Sequence, residues 1–496
     1  MANRWAGLLL VGLAGCLPAS CSVAATADVR DSVVKIYTTR RTPSFSRPWT
    51  RSNATEVSGS GAIIAGNRIL TNAHVVMYAS RVMVQAHRSP ARVRAKIVAI
   101  APGMDLALLE VSDPSFFEGR PPLPLATERP KVKETVNAYG YPIGGEQISV
   151  TEGIVSRIEY VHYRYGVFGL RIQVDAALNS GNSGGPALVD GKIVGVVFSR
   201  VGNADNIGYL IPTEEVEIFL KDIEDGRYDG KPVLLDAMQT VENPALRQRL
   251  KLDVSMGGMM IQRPLKEDES YPLKDWDVII KVDEYDIDRQ GRVTVGDALR
   301  VSFQYLLPAH TKENKVGLTV WRDGKSLQVE APVQIKRPLL IPYLKGRYPR
   351  HFILGPLVFT EASQELIAAF GHKGLAALNT RKSPLVRRQF DRPAFPGEEL
   401  VILVPRTFSH PLTEGYDNPM FAVVTTVNDV KIRNMAHFVE TVRDATGEFI
   451  VFDFAGNYER QVYRRDELIE ATEEILEDEG IRYQCSPDLE KIWRGK

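Results

Sequence analysis

The chain has 496 residues, 44% of them hydrophobic and 25% charged, and its formal net charge is zero. That length exceeds one ordinary domain and suggests about three. A zero balance with no long basic run argues against nucleic acid as a partner, and past the N-terminus no apolar stretch approaches the roughly 18–20 residues that span a bilayer.

The opening segment, MANRWAGLLLVGLAGCLPASCSVAATADVRDS, carries one cation, Arg4, then an apolar run from Trp5 to about Leu17, then small residues. This layout predicts a signal peptide over residues 1–25, to be set aside from the fold. Two exits compete. SVAA before Thr26 fits small-x-small cleavage, whereas LAGC, Leu13 to Cys16, resembles a lipoprotein box that would leave a lipid anchor on Cys16. Either way the expectation is an exported protein, periplasmic or anchored to a membrane and facing the periplasm. Of three cysteines, Cys16 and Cys21 fall in or beside this segment, so the folded body keeps only Cys485 and must be stabilised by its cores without disulfides.

From 27 to 228 the pattern is short and strand-like. SVVKIYTT, GSGAIIAG, NRILTNAHVV, RVMVQAH, VRAKIVAI, LALLEV, ETVNAYGYP, ISVTEGIVSRIEYV, GLRIQVDAAL, GKIVGVVFSR and NIGYLIP are rich in Val and Ile and separated by Gly, Pro, Asn and Asp. Such spacing predicts an all-β barrel or sandwich. One helix is expected after Pro212, with Thr213 as its cap, Val216, Phe219, Leu220 and Ile223 on one face, and Gly226 as its stop. GRYDGKP then reads as a linker.

A second unit, 233–335, runs through GGMMIQ, LKDWDVIIKVDEYDI, a helix-like VGDALRVSFQYL, and a hairpin turned at Asp323-Gly324. The last unit, 338–496, repeats parts of this pattern with MFAVVTTVNDVKI, a helix-like NMAHFVETVRDA and EFIVFDF. KVDEYDI and TVNDVKI look like one module used twice. The acidic stretch DELIEATEEILEDEG reads as a solvated amphipathic helix.

Chemistry concentrates in NSGNSGGPAL, Asn179 to Leu188, where glycines crowd Ser183. A serine hydroxyl attacks only with a base beside it and a third group to orient that base. His74 in LTNAHVV is the candidate base. Asp105 in APGMDLALLEV, where an unpaired carboxylate would be costly to bury, is the candidate orienting group. Each residue alone reads as ordinary; together, in the order His, Asp, Ser and each in a matching string, they predict a catalytic triad. Gly181 and Ser183 would direct backbone N–H groups to one point, an oxyanion hole whose single donors are worth about 3–4 kcal/mol to the transition state.

LTNAHVV, DLALLEV, GYPIGG, GIVSRIE, QVDAALNSGNSGGP and NIGYLIP resemble the HtrA/Deg family of trypsin-fold serine proteases with PDZ modules, and the long last unit is similar to the degenerate second PDZ of the plant-type Deg subgroup. The resemblance implies a mainly β chain: a double β-barrel protease domain followed by two α/β PDZ-like domains. It implies His74 as general base, Asp105 as orienting carboxylate, Ser183 as nucleophile, and Gly181 and Asn182 in the oxyanion loop. Asn182 is neutral and cannot pair with a newly cut N-terminal amine, so loop rearrangement rather than activating cleavage is expected to build that hole. SMGGMMI resembles a carboxylate-binding loop, with Gly257 and Gly258 giving backbone freedom and Met259 and Ile261 lining a groove for peptide C-termini. Trp276 stands where the family often has glycine.

The family further implies a trimer-based homo-oligomer, to which Tyr37, Phe45 and Trp49 are candidate contacts, and ATP-independent cleavage of unfolded or damaged exported polypeptides without cofactor. No Walker A string occurs and no cluster has metal-ligand spacing. The rival expectation is a peptide-binding scaffold or holdase with a locked triad; a weaker one is an esterase of the same fold.

Overall fold

The structure, a computed structural model, describes Met1 and residues 28–200, 207–296, 298–405 and 407–495, with backbone alone at 199 and 200. Apart from Met1, the predicted signal segment lies outside the described residues.

Val- and Ile-rich runs become strands because β-branched side chains pack well on a pleated surface. β1 (Val33–Arg40), β2 (Thr55–Ile64), β3 (Arg68–Thr71), β4 (Ala79–Ala86), β5 (Arg92–Ala101) and β6 (Leu106–Val111) close into a barrel in the order β1-β2-β3-β6-β5-β4. β7 (Thr135–Gly140), β8 (Ser149–His162), β9 (Phe168–Val174), β10 (Pro186–Val189), β11 (Lys192–Arg200) and β12 (Gly208–Pro212) close a second, ordered β10-β11-β12-β9-β8-β7. Val34, Ile36, Ile69 and Val84 fill the first barrel; Val136, Ile172, Val174 and Leu210 fill the second. A shared cluster joins Leu70, Met104 and Leu106 of the first to Leu188, Val196 and Ile211 of the second, so the barrels meet along one apolar seam.

Three local readings need correction. LTNAHVV does not continue as strand: Asn72 ends β3 in extended backbone and caps a single helical turn, α1 (Ala73–Val76). The helix after the second barrel, α2 (Thr213–Asp222), is capped by Pro212 rather than Thr213, though it buries Val216 and Phe219 as expected; Gly226, at φ 87°, closes the 3-10 turn Ile223–Asp225 that follows it. GRYDGKP is not a free linker either. Lys231 Nζ lies 2.9 and 2.8 Å from the Glu215 oxygens and 3.0 Å from the Phe168 carbonyl, and Glu215 also accepts the Leu170 N–H at 2.9 Å. Both side chains are buried, which charges tolerate only when paired this fully.

The second unit contains β13 (Ala237–Thr240), β14 (Met259–Arg263), β15 (Val278–Val282), β16 (Tyr285–Asp286), β17 (Arg292–Val295), β18 (Leu299–Ser302), β19 (Thr311–Lys312), β20 (Lys315–Arg322) and β21 (Lys325–Pro332). Its main sheet runs β13-β14-β15-β20-β19. VGDALRVSFQYL, expected as a helix, instead completes the β17–β18 hairpin before one 3-10 turn, Phe303–Leu306, and a short helix, Leu307–His310. Gly296 and Ala298, both at positive φ, make the turn, and Val293, Val295 and Val301 reach the core from its two arms.

In the last unit, a seven-stranded sheet runs from His351–Leu354 to Gln461–Arg464. The repeated module is visible as two tight hairpins, Val282 facing Tyr285 and Val427 facing Val430, each turned by residues at positive φ. Helix Met435–Arg443, capped by Asn434, buries Met435, Phe438, Val439 and Val442. The acidic helix Arg465–Asp478 buries Leu468, Ala471 and Ile475 and leaves its charges outside.

The units touch. Leu170 of β9 is buried in the core of the second unit. The segment between β1 and β2 docks on the last unit: Trp49 stacks on Phe408 with ring centroids 5.4 Å apart, Phe45 packs on the Leu340–Ile341 cluster, and the Tyr348 hydroxyl donates to the Arg41 carbonyl at 2.7 Å. Phe45 and Trp49 thus make contacts within the chain while remaining partly exposed. Tyr37 donates to Gln85 Oε1 at 2.8 Å and lies under the Arg92 guanidinium, 3.6 Å from its ring centre.

Candidate active site

Asp105 follows a tight turn at φ 57°, the left-handed conformation that aspartate tolerates better than most side chains, and its side chain is 1% exposed. Its Oδ1 accepts the His74 backbone N–H at 2.8 Å and its Oδ2 lies 2.6 Å from His74 Nδ1. The Asp105 carbonyl accepts Ala73 N–H at 3.1 Å and Asn72 Nδ2 at 3.0 Å. Four bonds thus lock the turn before β6 onto α1. With Nδ1 directed to the carboxylate, Nε2 is the nitrogen left for proton transfer.

Ser183 lies across the seam. Its carbonyl accepts the Ser60 N–H of β2 at 2.9 Å, and the next residue, Gly184, donates its N–H to Val197 of β11 at 2.8 Å. Only glycine fits at 184: φ is 86°, and a Cβ there would lie 2.2 Å from both the Ser60 carbonyl and Thr71 Oγ1. Gly59 has Val75, next to His74, on one side and the Ser183 carbonyl on the other, so base and nucleophile candidates flank one glycine. Ser183 Oγ, however, donates to the Phe198 carbonyl at 3.3 Å and makes no hydrogen bond to His74.

Of the oxyanion candidates, Gly181 is likewise engaged elsewhere. Ser180–Asn182 forms a 3-10 turn whose cap, Asn179, accepts the Gly181 N–H on its side chain at 3.1 Å. The Gly181 carbonyl takes Ser60 Oγ at 2.8 Å. Asn182 is fully buried, and both atoms of its amide lack a partner among the described residues. An orphaned amide of this kind costs roughly 1–3 kcal/mol, a strain carried by the loop in this conformation. Beside it, Leu178 packs against Gly208 of β12, where a Cβ would come within 2.4 Å of Leu178 Cδ1.

The residues expected to form a peptide groove are placed differently. β14, which contains Met259 and Ile261, pairs with β13 on one edge and β15 on the other, so no peptide strand can join it there. Ile261 is a core residue with no exposure. Gly257 is small because Ile287 and Asp288 approach it, with a Cβ falling 2.3 Å from the Ile287 carbonyl, and Gly258 sits at φ 133°. Gly257 does line an open groove of about 950 Å³ whose walls carry Lys281, Asp288 and Arg300. The sheet has unpaired edges at β13 and, on its far side, at β21, which pairs only with β20.

One group that spacing could not reveal is Asp283, Glu284 and His310, whose donor atoms lie within 4.8 Å of one another on the second unit. His310 Nδ1 is 2.5 Å from Asp283 Oδ2, so this partly exposed pair is already satisfied.

Residues 59–196 match the trypsin-like peptidase domain model and residues 342–488 match the PDZ domain model. Protease Do-like 2, chloroplastic, of Arabidopsis thaliana is 35% identical over 471 residues, covering 93% of this chain and 76% of that protein. Protease Do-like 4, mitochondrial, of the same plant is 35% identical over 453 residues, covering 90% and 83%. The structure titled HtrA-type protease AlgW with decapeptide is 23% identical, covering 62% of this chain and 97% of its own, with a TM-score of 0.47. No helix among the described residues is long and apolar enough to cross a membrane. With two closed six-stranded barrels, a PDZ domain and relatives of this extent, the chain belongs to the HtrA/Deg family of Do-like proteases, serine endopeptidases of the trypsin fold.

Proposed function

We propose that the chain cleaves unfolded or damaged polypeptides by acyl transfer through Ser183, without ATP, with His74 as general base, Asp105 as its orienting carboxylate and the Gly181–Asn182–Ser183 loop as oxyanion hole. The observation that carries this reading is the two-point hold of Asp105 on His74, at 2.8 Å and 2.6 Å. It presents Nε2 as a proton acceptor and will stabilise the imidazolium once the serine proton arrives. Ser183 Oγ turns from the Phe198 carbonyl to Nε2, loses its proton as it attacks the scissile carbonyl, and the proton passes to the leaving amine; water then repeats the sequence on the acyl-enzyme.

The Gly181 N–H reaches a developing oxyanion only after it leaves Asn179. Loop rearrangement, biased by the PDZ-like units and by packing in a trimer-based homo-oligomer, supplies that step. An extended chain suits the site because it can pair along β11, and a small aliphatic residue at the cleaved position is what the family resemblance implies. For the second unit, the free edge of β13 is one place where a peptide strand can add. The N-terminal segment directs export, with Cys16 or Thr26 as the mature first residue; mass spectrometry of that residue decides between them.

The engaged state of Ser183 and Gly181 favours one second reading, a peptide-binding scaffold whose triad stays locked. A fluorophosphonate probe separates the two. Labelling of Ser183, together with casein digestion that exceeds hydrolysis of small esters, is the expected result; absence of label at every temperature and with every added peptide would leave only the scaffold.

A further inference from the structure

Lys35 stands on β1 between Val34 and Ile36, which fill the first barrel, so its side chain leaves the barrel on the outer face. It is nonetheless only 6% exposed. Among the described residues it has no ion-pair partner: its ammonium donates to the Gly145 carbonyl at 2.7 Å and lies 4.9 Å from the centre of the Tyr37 ring. A cation buried without a counter-ion is costly to keep, and a methionine would fill much of the same space without that cost. What the charge holds is the Gly145 carbonyl, on the far side of the seam.

Residues 141–145 follow β7 and form a cover over Gly181. A Cβ on that glycine would fall 2.5 Å from the Ile143 nitrogen and 2.7 Å from the Pro142 carbonyl carbon, so Gly181 has no room to move while the cover is down. Two ties fasten the cover to the first barrel. The Tyr141 N–H donates to Ser60 Oγ at 2.8 Å, and the Gly145 carbonyl accepts from Lys35. Lys35 and Ser60 face each other across β1 and β2, so both ties start from one spot on the sheet. Ser60 Oγ also donates to the Gly181 carbonyl at 2.8 Å, which makes Lys35 the tie that acts on the cover without touching the glycine. Packing holds little of the tip: Ile143 is 69% exposed and Gly144 borders open space.

We propose that Lys35 is a positioning residue: its bond to Gly145 latches the cover over Gly181 and keeps the Gly181 N–H on the Asn179 side chain in the resting molecule. The inference rests on the reading of Gly181 as an oxyanion donor. To face a developing oxyanion, that N–H must leave Asn179 Oδ1, 3.1 Å away, and the chain around Gly181 must shift by more than the cover allows. Once the Lys35–Gly145 bond breaks, the exposed tip lifts into solvent and the ammonium regains water, which offsets part of the bond that was lost. Control of the nucleophile's loop thus runs through a residue of the opposite barrel.

The test compares the full chain with Lys35→Met and Lys35→Arg, reading amide hydrogen exchange by mass spectrometry and fluorophosphonate labelling of Ser183 in the absence of substrate. Lys35→Met keeps the bulk and loses the donor. It is expected to speed exchange over residues 141–145 and 179–183 roughly tenfold, the worth of one hydrogen bond from a charged group, while β5 and β6 keep the parent's rates. Labelling should rise by a similar factor, and Lys35→Arg should restore both. A merely structural lysine would instead loosen the whole first barrel and slow the labelling. Unchanged exchange over 179–183, or faster exchange there with slower labelling, overturns the latch. Faster exchange with no label in the parent or either variant keeps the latch and removes the protease reading of Ser183. If Lys35→Met does not fold, Lys35→Gln, whose donor is one bond shorter, decides by the same exchange rates, and parity with the parent overturns the proposal.

Discussion

On the first-barrel side of the seam, Asp105 has both carboxylate oxygens committed to His74, at 2.8 Å and 2.6 Å. On the second-barrel side, the Ser183 hydroxyl is given to the Phe198 carbonyl and the Gly181 N–H to the Asn179 side chain. The difference is one of replaceability. Undoing the Asp105 contacts would strand a buried carboxylate, which is costly. The bonds held by Ser183 and Gly181 each net only about 0.5–1.5 kcal/mol, within reach of the binding energy of a substrate or partner. The proposed base is therefore built in advance, and control is left to the proposed nucleophile's loop.

The strongest way to break this comparison is to remove its two ends. Ser183→Ala should lower turnover by on the order of 10⁶ with the unfolding midpoint little changed, measured by peptide hydrolysis and circular dichroism. Asp105→Asn should cost about 10⁴ in kcat, and parity with the parent would show that the prebuilt side is idle. Gly181→Ala comes next. Its Cβ would fall 2.2 Å from the Tyr141 carbonyl, so the loop must shift, and a loss of about 10²–10³ in kcat with an unchanged KM is expected.

A third effect tests whether the last unit braces the base side, where Met77 packs on Gly346 and Tyr78 meets Tyr348 with ring centroids 5.6 Å apart. Folded His351 has its pKa pushed down to about 4 from 6.5 by burial. On acidification the unfolded chain takes up the proton first, so the stability held by neutral His351 is intact above pH 6.5 and lost as pH falls toward 4. The loss is about 3 kcal/mol, and His351→Gln should flatten it in urea midpoints taken at pH 7 and 4.5. Smallest is Asn179→Ala. Freeing the Gly181 N–H should raise basal hydrolysis roughly fivefold, the worth of about 1 kcal/mol; a decrease would mean that Asn179 supports the active loop rather than the resting one.

Much of the barrel architecture was legible because Val and Ile recur between turn residues along every strand. His74, Asp105 and Ser183 were singled out by their local strings, and the structure brings the first two into contact and sets the third across the seam. What the sequence could not tell is instructive. A four-residue helix such as α1 is too short to show a period. VGDALRVSFQYL spaces Val295, Leu299 and Phe303 four apart, as a helix would, while Gly296 and Ala298 turn it into a hairpin. The glycines of SMGGMMI, read as a source of backbone freedom, also sit where other backbone comes close, Ile287–Asp288 against Gly257 and Ile279 against Gly258. The Asn179 cap was readable in principle, since asparagine two residues before a glycine is a common local acceptor.

The ion pair between Lys231 and Glu215 bears on how the molecule may be divided. A protease fragment ending at residue 228 would keep the Glu215 carboxylate of α2 buried while discarding Lys231, the cation paired with it among the described residues, a defect of the kind that costs roughly 3–5 kcal/mol. The autonomous unit thus extends through Lys231, two residues short of Val233, where the backbone pairs with Gln334. The join between protease and second unit is stitched on both sides, and a cut meant to release the barrels would weaken them instead.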